Sequence, residues 1–222
     1  MSFASPTHAA FFYAKRRRDR ASEIHHNAIT SGDTLRFGKT GSYFLAYKHV
    51  GAETGCLIGV MSPLFFAPFV SSIMRVEPEW IDYNGHLNMA YYNVLFDRAV
   101  DETYELIGVG ADYVASRRQS VFTAEVHLRY LRELHAGDPV RVTFQLIDYD
   151  TKRLHYFEQL FHAADGWVSA TSENLSLHVD MTSRKTAAFP QEIAARLAEM
   201  KASHALLPVP EAAGRRIEMT GR

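Results

Sequence analysis

Cysteine is almost absent: Cys56 is the only one in 222 residues. That excludes an intrachain disulfide framework and any zinc site built from several thiolates. It suits a reducing compartment, and a cytoplasmic location is the expectation. Net charge is also nearly absent, at -1, with 24 Lys and Arg against 25 Asp and Glu. A large excess of one sign would draw the chain to nucleic acid or an anionic membrane, so neither is expected as a partner. Long hydrophobic runs are missing too. The longest apolar stretch, Cys56 to Val70, is broken by Pro63 and Pro68. It falls short of the roughly 20 residues that span a bilayer. It also lies too far from Met1 to be the core of a signal peptide. There is no Gly-x-Ser-x-Gly elbow, no Gly-x-Gly-x-x-Gly fingerprint and no internal repeat. His127, His135, His155, His162 and His178 scatter over separate segments without metal-ligand spacing. No metal and no cofactor is expected.

What is present is enough apolar material for a core, 47% of the chain, and a change of character near Met74. Before Met74 there is no sustained helical or strand period. Residues 1–73 therefore read as a poorly ordered extension, or as the product of an upstream start codon, with Met61 and Met74 available as alternatives. The basic run Lys15-Arg16-Arg17-Arg18 has Asp19 beside it and reads as a solvated charge run.

From Met74 the periods are clear. Arg75 to Trp80 reads as a short strand and Ile81 to Leu87 as a loop with an Asn-Gly turn signal. Asn88 is an N-cap, and a long helix runs to about Ile107. Its apolar face is Tyr92, Leu95, Phe96, Ala99, Thr103, Leu106 and Ile107, and Gly108 and Gly110 end it. Four strand-like runs follow: Ser120–Leu134, Val140–Tyr149, Arg153–Ala163 and Trp167–Asp180. In the first, Phe122, Ala124, Val126, Leu128 and Tyr130 share one face by alternation. Tight connections join the last three into an antiparallel meander. An amphipathic helix starts near Pro190, and the chain past Ala205 reads as a frayed tail, 206–222. One long helix among antiparallel strands is an α+β plan, with the helix across one face of the sheet.

The loop before the long helix carries the chemistry. Asp82 and His86 lie four residues apart where the chain enters a helix N-terminus. The first amides of a helix lack intrahelical partners and carry partial positive charge. They suit a carbonyl that gains negative charge in acyl transfer. A nearby carboxylate can activate water or attack the carbonyl itself. Read alone, an Asp before a helix is most often a cap or turn residue, and a lone His is more often a hydrogen-bonded structural residue than a catalyst.

Trp80-Ile81-Asp82-Tyr83-Asn84-Gly85-His86-Leu87-Asn88, followed by that helix, resembles the hotdog-fold thioesterases of the 4-hydroxybenzoyl-CoA type. With Tyr130-Leu131-Arg132-Glu133-Leu134 and Lys152-Arg153-Leu154-His155, it is most similar to betainyl-CoA thioesterases and to the thioesterase domain of carnitine dehydrogenase fusions. The resemblance implies a hotdog domain over 74–205, a five-stranded sheet around the helix, and at least a homodimer with sites at its interface. It implies an acyl-CoA substrate, Asp82 as nucleophile or general base, and His86 and Asn88 shaping the site. Met89 stands where many relatives have a second Asn, which leaves carbonyl polarisation to backbone amides.

Further candidates come from the residues themselves. Glu125, on the strand face opposite Phe122 and Val126, is a candidate for positioning water, or a surface partner of Arg129. Arg129, Arg132, Lys152 and Arg153 are candidates for coenzyme A phosphates, or plain surface charge. Trp80, Tyr83, Tyr91 and Tyr92 surround the motif. Aromatic faces attract quaternary ammonium groups, although core packing explains such rings as well. The competing functions are a hotdog hydratase or dehydratase, a non-catalytic acyl-CoA binding module, and a structural oligomerisation domain.

Overall fold

The computed structural model describes residues 65–219. The basic run at 15–18, Cys56, Met61 and the extension as far as residue 64 lie outside the described residues.

The long helix, α1, spans Met89–Ile107. Asn88 caps it: its side-chain oxygen accepts from the Ala90 amide at 3.0 Å. Gly108 ends it in the left-handed region at φ 90°, where its amide reaches the carbonyls of Tyr104 and Glu105. The buried stripe is Tyr92, Leu95, Phe96, Ala99, Val100, Thr103, Tyr104 and Ile107. Leu106 is only half-buried, and Val100 and Tyr104 widen the stripe beyond the periodic set.

Seven antiparallel strands make one sheet: β1 (Phe69–Val70), β2 (Met74–Arg75), β3 (Gln119–Tyr130), β4 (Pro139–Tyr149), β5 (Arg153–His162), β6 (Val168–Asp180) and β7 (Lys185–Thr186). The order is β1-β4-β5-β6-β3, with β2 also on β4 and β7 also on β6. The meander of β4, β5 and β6 is as the turn chemistry implies. A seven-residue helix, α2 (Ala111–Arg117), precedes β3, and α3 (Gln191–His204) follows β7.

Five expectations change. Arg75–Trp80 is not one strand. Pairing stops after Arg75, and Pro78–Trp80 forms a 3₁₀ turn with Pro at its start, where a missing amide does no harm. The run expected over Ser120–Leu134 ends at Tyr130. Its face assignment also fails. A bulge between Thr123 and Glu125 shifts the register, so Phe122 pairs with Leu177 while Val126 pairs with Asn174. Phe122 and Val126 therefore lie on opposite faces.

The folded region also begins before Met74. Phe65 is buried, β1 pairs with β4, and the Ser71 amide and hydroxyl bond to Val142 at 2.8 and 3.0 Å. Buried His204 joins three segments. Its Nδ1 accepts from the Leu146 amide at 2.8 Å, and its Nε2 donates to the Phe66 carbonyl at 3.0 Å. Nor is the tail frayed through residue 219. The Pro208 carbonyl accepts from Gln145, and the Gly214 amide bonds both Glu173 oxygens at 2.9 Å, so the tail crosses the outer face of the sheet.

Candidate active site

The Asp82 loop is a closed hairpin. Ile81 bridges Leu87, the Asn88 amide reaches the Trp80 carbonyl at 3.0 Å, and the Asp82 amide reaches His86 at 3.0 Å. Gly85 turns the chain at φ 86°, a conformation that favours glycine. Within the turn the Asp82 carboxylate accepts from the Asn84 amide at 2.7 Å. This fixes the carboxylate in an Asx turn while leaving it partly exposed. The Leu87 amide bonds Leu134 at 2.7 Å, and Leu87 is buried with Leu95, Val140 and Leu160. The loop is thus anchored to the core at one residue and presents its acid from the other side. Tyr130 Oη donates to the Met89 carbonyl at 3.2 Å, bringing the end of β3 to the start of α1. Asp82, half-buried His86, Asn88 and the first turn of α1 therefore form one neighbourhood.

The other candidates divide. Glu125 pairs with Leu175 on the outer face, the same face as Phe122, because of the bulge. The four aromatic rings do not converge on one site. Trp80 is buried, stacks on Tyr91 at 5.4 Å, and has the Arg98 guanidinium 4.8 Å from its centroid. Tyr92 packs edge-on against Tyr130 at 5.1 Å, and Tyr83 is 98% exposed at the loop tip.

The basic residues are equally dispersed. Arg132 lies 4.0 Å over the Trp167 ring. Lys152 and Arg153 occupy the β4–β5 turn, where Arg153 pairs with Asp150 at 2.6 Å. That turn is at the opposite end of the sheet from Tyr130, on the order of 20 Å away. Arg129 lines an outer-face cleft of about 310 Å³ together with His127, Arg215 and Arg216. The two tail arginines were passed over because nothing in the tail's composition marks it as docked.

Sequence reading also missed a polar inner face on β6. Cross-strand partners share a face, so Phe144, Glu158, Ser172 and Leu128 form one row beneath α1, and Leu146, Tyr156, Asn174 and Val126 the next. Glu158 is buried, and one of its oxygens accepts from Asn174 Nδ2 at 3.1 Å. Burial, and then the Asp97 carboxylate, push its pKa well above the usual range. Polar residues at every second position, Ser172, Asn174, Ser176 and His178, were the available signal.

A family model described as Thioesterase-like superfamily matches residues 76–197, more than half of the chain. The chain belongs to that superfamily, and its antiparallel sheet with one long helix is the hotdog fold. It is 40% identical over 140 residues to a betainyl-CoA thioesterase of Pseudomonas aeruginosa, covering 63% of this chain and 88% of that one. It is 38% identical over 143 residues to an L-carnitine dehydrogenase/betainyl-CoA thioesterase of Rhizobium meliloti, covering 64% of this chain but only 29% of that longer protein. A Staphylococcus aureus protein solved in complex with CoA superimposes with a TM-score of 0.64 at 31% identity, covering 68% of this chain and 95% of that one.

Proposed function

We propose that this protein hydrolyses a short acyl-CoA thioester, with betainyl-CoA or a related quaternary-ammonium acyl-CoA as substrate, as one step of carnitine metabolism. The carrying observation is the Asp82 carboxylate, oriented by the Asn84 amide at 2.7 Å beside the N-terminus of α1. In this reading Asp82 takes a proton from water as the water oxygen adds to the thioester carbonyl. The carbonyl oxygen becomes an oxyanion, held at the start of α1 by the Met89 amide, since Asn88 already takes the Ala90 and Tyr91 amides. When the tetrahedral adduct collapses, the C–S bond breaks and the thiolate of coenzyme A leaves. It takes its proton back from Asp82, giving free acid and thiol. His86 and Asn88 hold the loop and the helix start in register. Direct attack by Asp82 on the carbonyl is the second form of the same chemistry, favoured by the partial exposure of its carboxylate.

The working unit is a homodimer in this proposal. Among the described residues β3 is a 12-residue strand paired on one side only, by β6, and it exposes Phe122, Val126 and Tyr130. A long apolar edge of this kind is a template for pairing with a second copy. The tail cleft of Arg129, Arg215 and Arg216 suits coenzyme A phosphates.

The test is thiol release from a panel of short aliphatic, aromatic, quaternary-ammonium and long-chain acyl-CoAs. Hydrolysis is expected, with the short cationic acyl group preferred. No thiol release from any member would favour a binding module instead. Preference for the long chain would retain the thioesterase and remove the substrate class.

A further inference from the structure

We propose that the C-terminal strap, residues 206–219, is the part of the chain that recognises the coenzyme A carrier: Arg215 and Arg216, with Arg129 of β3, hold the phosphates at its nucleotide end. This rests on the thioesterase reading. It names what would make the site act on CoA thioesters rather than on thioesters of a bare pantetheine arm.

The strap is held at two points on the outer face of the sheet. Gln145, Phe157, Glu173 and His127 form one outward-facing row across β4, β5, β6 and β3. Gln145 Nε2 donates to the Pro208 carbonyl at 3.2 Å. Two strands along the row, both Glu173 oxygens accept from the Gly214 amide at 2.9 Å. Phe157, between these anchors, is only 2% exposed although it faces outward, because the strap passes over it. His155 Nε2 also donates to Glu173, at 2.8 Å, and fixes the carboxylate that receives Gly214. Gly214 sits at φ 72°, a conformation that favours glycine, and ends a turn over 211–214. The two residues after it, Arg215 and Arg216, are thereby delivered beside β3.

There they meet the end of β3 across an open cleft of about 310 Å³, lined by residues 127–131 and 215–218. That volume is at the low end of ligand clefts, which run from roughly 300 to 1,000 Å³. His127 and Arg129 point to the outer face, since side chains alternate along a strand. Three guanidiniums line the cleft against one carboxylate, Glu218. Among the described residues, none of the three closes an ion pair or a side-chain hydrogen bond. Arg98, Arg117 and Arg153, by contrast, each pair with a carboxylate at 3.0 Å or less. Like charges brought together repel, and an anion of several charges relieves that repulsion. Guanidinium forks match phosphate oxygens two at a time. Leu128, Leu131 and Ile217 add apolar surface for a nucleoside. The ligand class is therefore a nucleoside polyphosphate. Tyr130 lines the same cleft, and its Oη donates to the Met89 carbonyl at 3.2 Å. The cleft and the Asp82 neighbourhood thus meet at Tyr130, and the pantetheine arm of one CoA thioester joins them.

The experiment uses the full chain and the paired substitution Arg215→Ala with Arg216→Ala. Calorimetry reads Kd for CoA, for dephospho-CoA, which lacks the 3′-phosphate, and for pantetheine. Thiol release reads kcat and KM for the best acyl-CoA of the panel and for the same acyl group on pantetheine. Wild type should bind CoA most tightly and pantetheine least, and its affinity for CoA should fall as salt rises. In the double variant Kd for CoA and KM for the acyl-CoA should rise about tenfold or more, with a flatter salt dependence. kcat and both pantetheine values should stay as in wild type. Both side chains are exposed and unbonded, so the melting curve should not move. Glu173→Gln, a positioning change that weakens the hold on Gly214, should raise KM for the acyl-CoA by less and leave the pantetheine thioester alone. An unchanged Kd for CoA in the double variant, or an equal rise in KM for the pantetheine thioester, would overturn the assignment and leave hydrolysis standing. CoA binding that depends on the two arginines without any thiol release would support the strap and remove the catalytic reading.

Discussion

The two halves of the sheet's inner face differ in chemistry. The β4–β5 half is Val140, Val142, Phe144, Leu146, Leu154 and Leu160, all fully or nearly fully buried. The β6–β3 half is Ser172, Asn174, Ser176 and His178, flanked by the open Thr123 and Val126. Both halves lie under or beside the same helix. The first is built as a core is built, by apolar burial at about 25 cal/mol per Å². The second gives up that stabilisation, and it borders Glu158, a buried carboxyl of β5 that interrupts the apolar first half. A fold retains such a boundary where a ligand or a second copy completes it. The first half is therefore expected to carry stability rather than acyl selectivity, and mutation should separate the two.

The largest expected break is at the apolar half's edge. A chain begun at Met74 loses β1, the buried Phe65, the Ser71 bonds to Val142 and the Phe66 carbonyl that His204 uses. A loss on the order of 5 kcal/mol is expected relative to a chain begun at Met61. Urea unfolding of the two would show it, and equal midpoints would mean that residues 65–73 contribute nothing. Next, Phe144→Ala should cost about 3 to 5 kcal/mol while leaving the ratio of cationic to neutral acyl-CoA turnover unchanged. A shift in that ratio would blur the division.

Two of the buried titratable groups give opposite pH signatures. His204 is pulled below the usual 6.5 by burial, so the unfolded chain binds its proton more readily. Its stabilisation is intact above 6.5 and is lost as pH falls through that value toward its depressed folded pKa. Glu158 is pushed above the usual 4.5, so the folded chain holds its proton more tightly. Its stabilisation is present below 4.5 and is lost as pH rises toward its raised folded pKa. Glu158→Gln, which has no proton to lose, should therefore be stabilised relative to wild type as pH rises above the usual carboxylate range. Thermal melts across pH would show the gap between the two proteins widening with pH, and a gap that narrows would contradict the assignment.

Much of this was legible in the sequence where a local signal decided the outcome. The cap at Asn88, the stop at Gly108 and the meander turns each rest on a few neighbouring residues, and α1 and β4–β6 follow them. The loop motif located Asp82, His86 and Asn88, and the structure brings these together. The rest depended on partners distant in the chain. Alternation assumed an unbroken β3, and one bulged residue moved Phe122 to the other face. In β6 the apolar residues Leu175, Leu177 and Val179 face outward while Ser172, Asn174 and Ser176 face in, the reverse of an amphipathic strand. Residues 65–73 and the tail carry no period because each is held by a few specific bonds to strands. The aromatic set around the motif suggested one cage. Arg98 occupies the Trp80 face and Tyr130 the Tyr92 edge, so these rings do not converge on one cage.

The most direct test of the account is the turnover of Asp82→Asn on the best acyl-CoA of the panel, beside wild type with matching circular dichroism and melting curves. The Asn side chain can keep the Asx turn with the Asn84 amide but cannot accept a proton from water or attack as a carboxylate. The account predicts a fall in kcat of at least about 10²-fold with the fold intact. A variant that keeps near-wild-type kcat would contradict it.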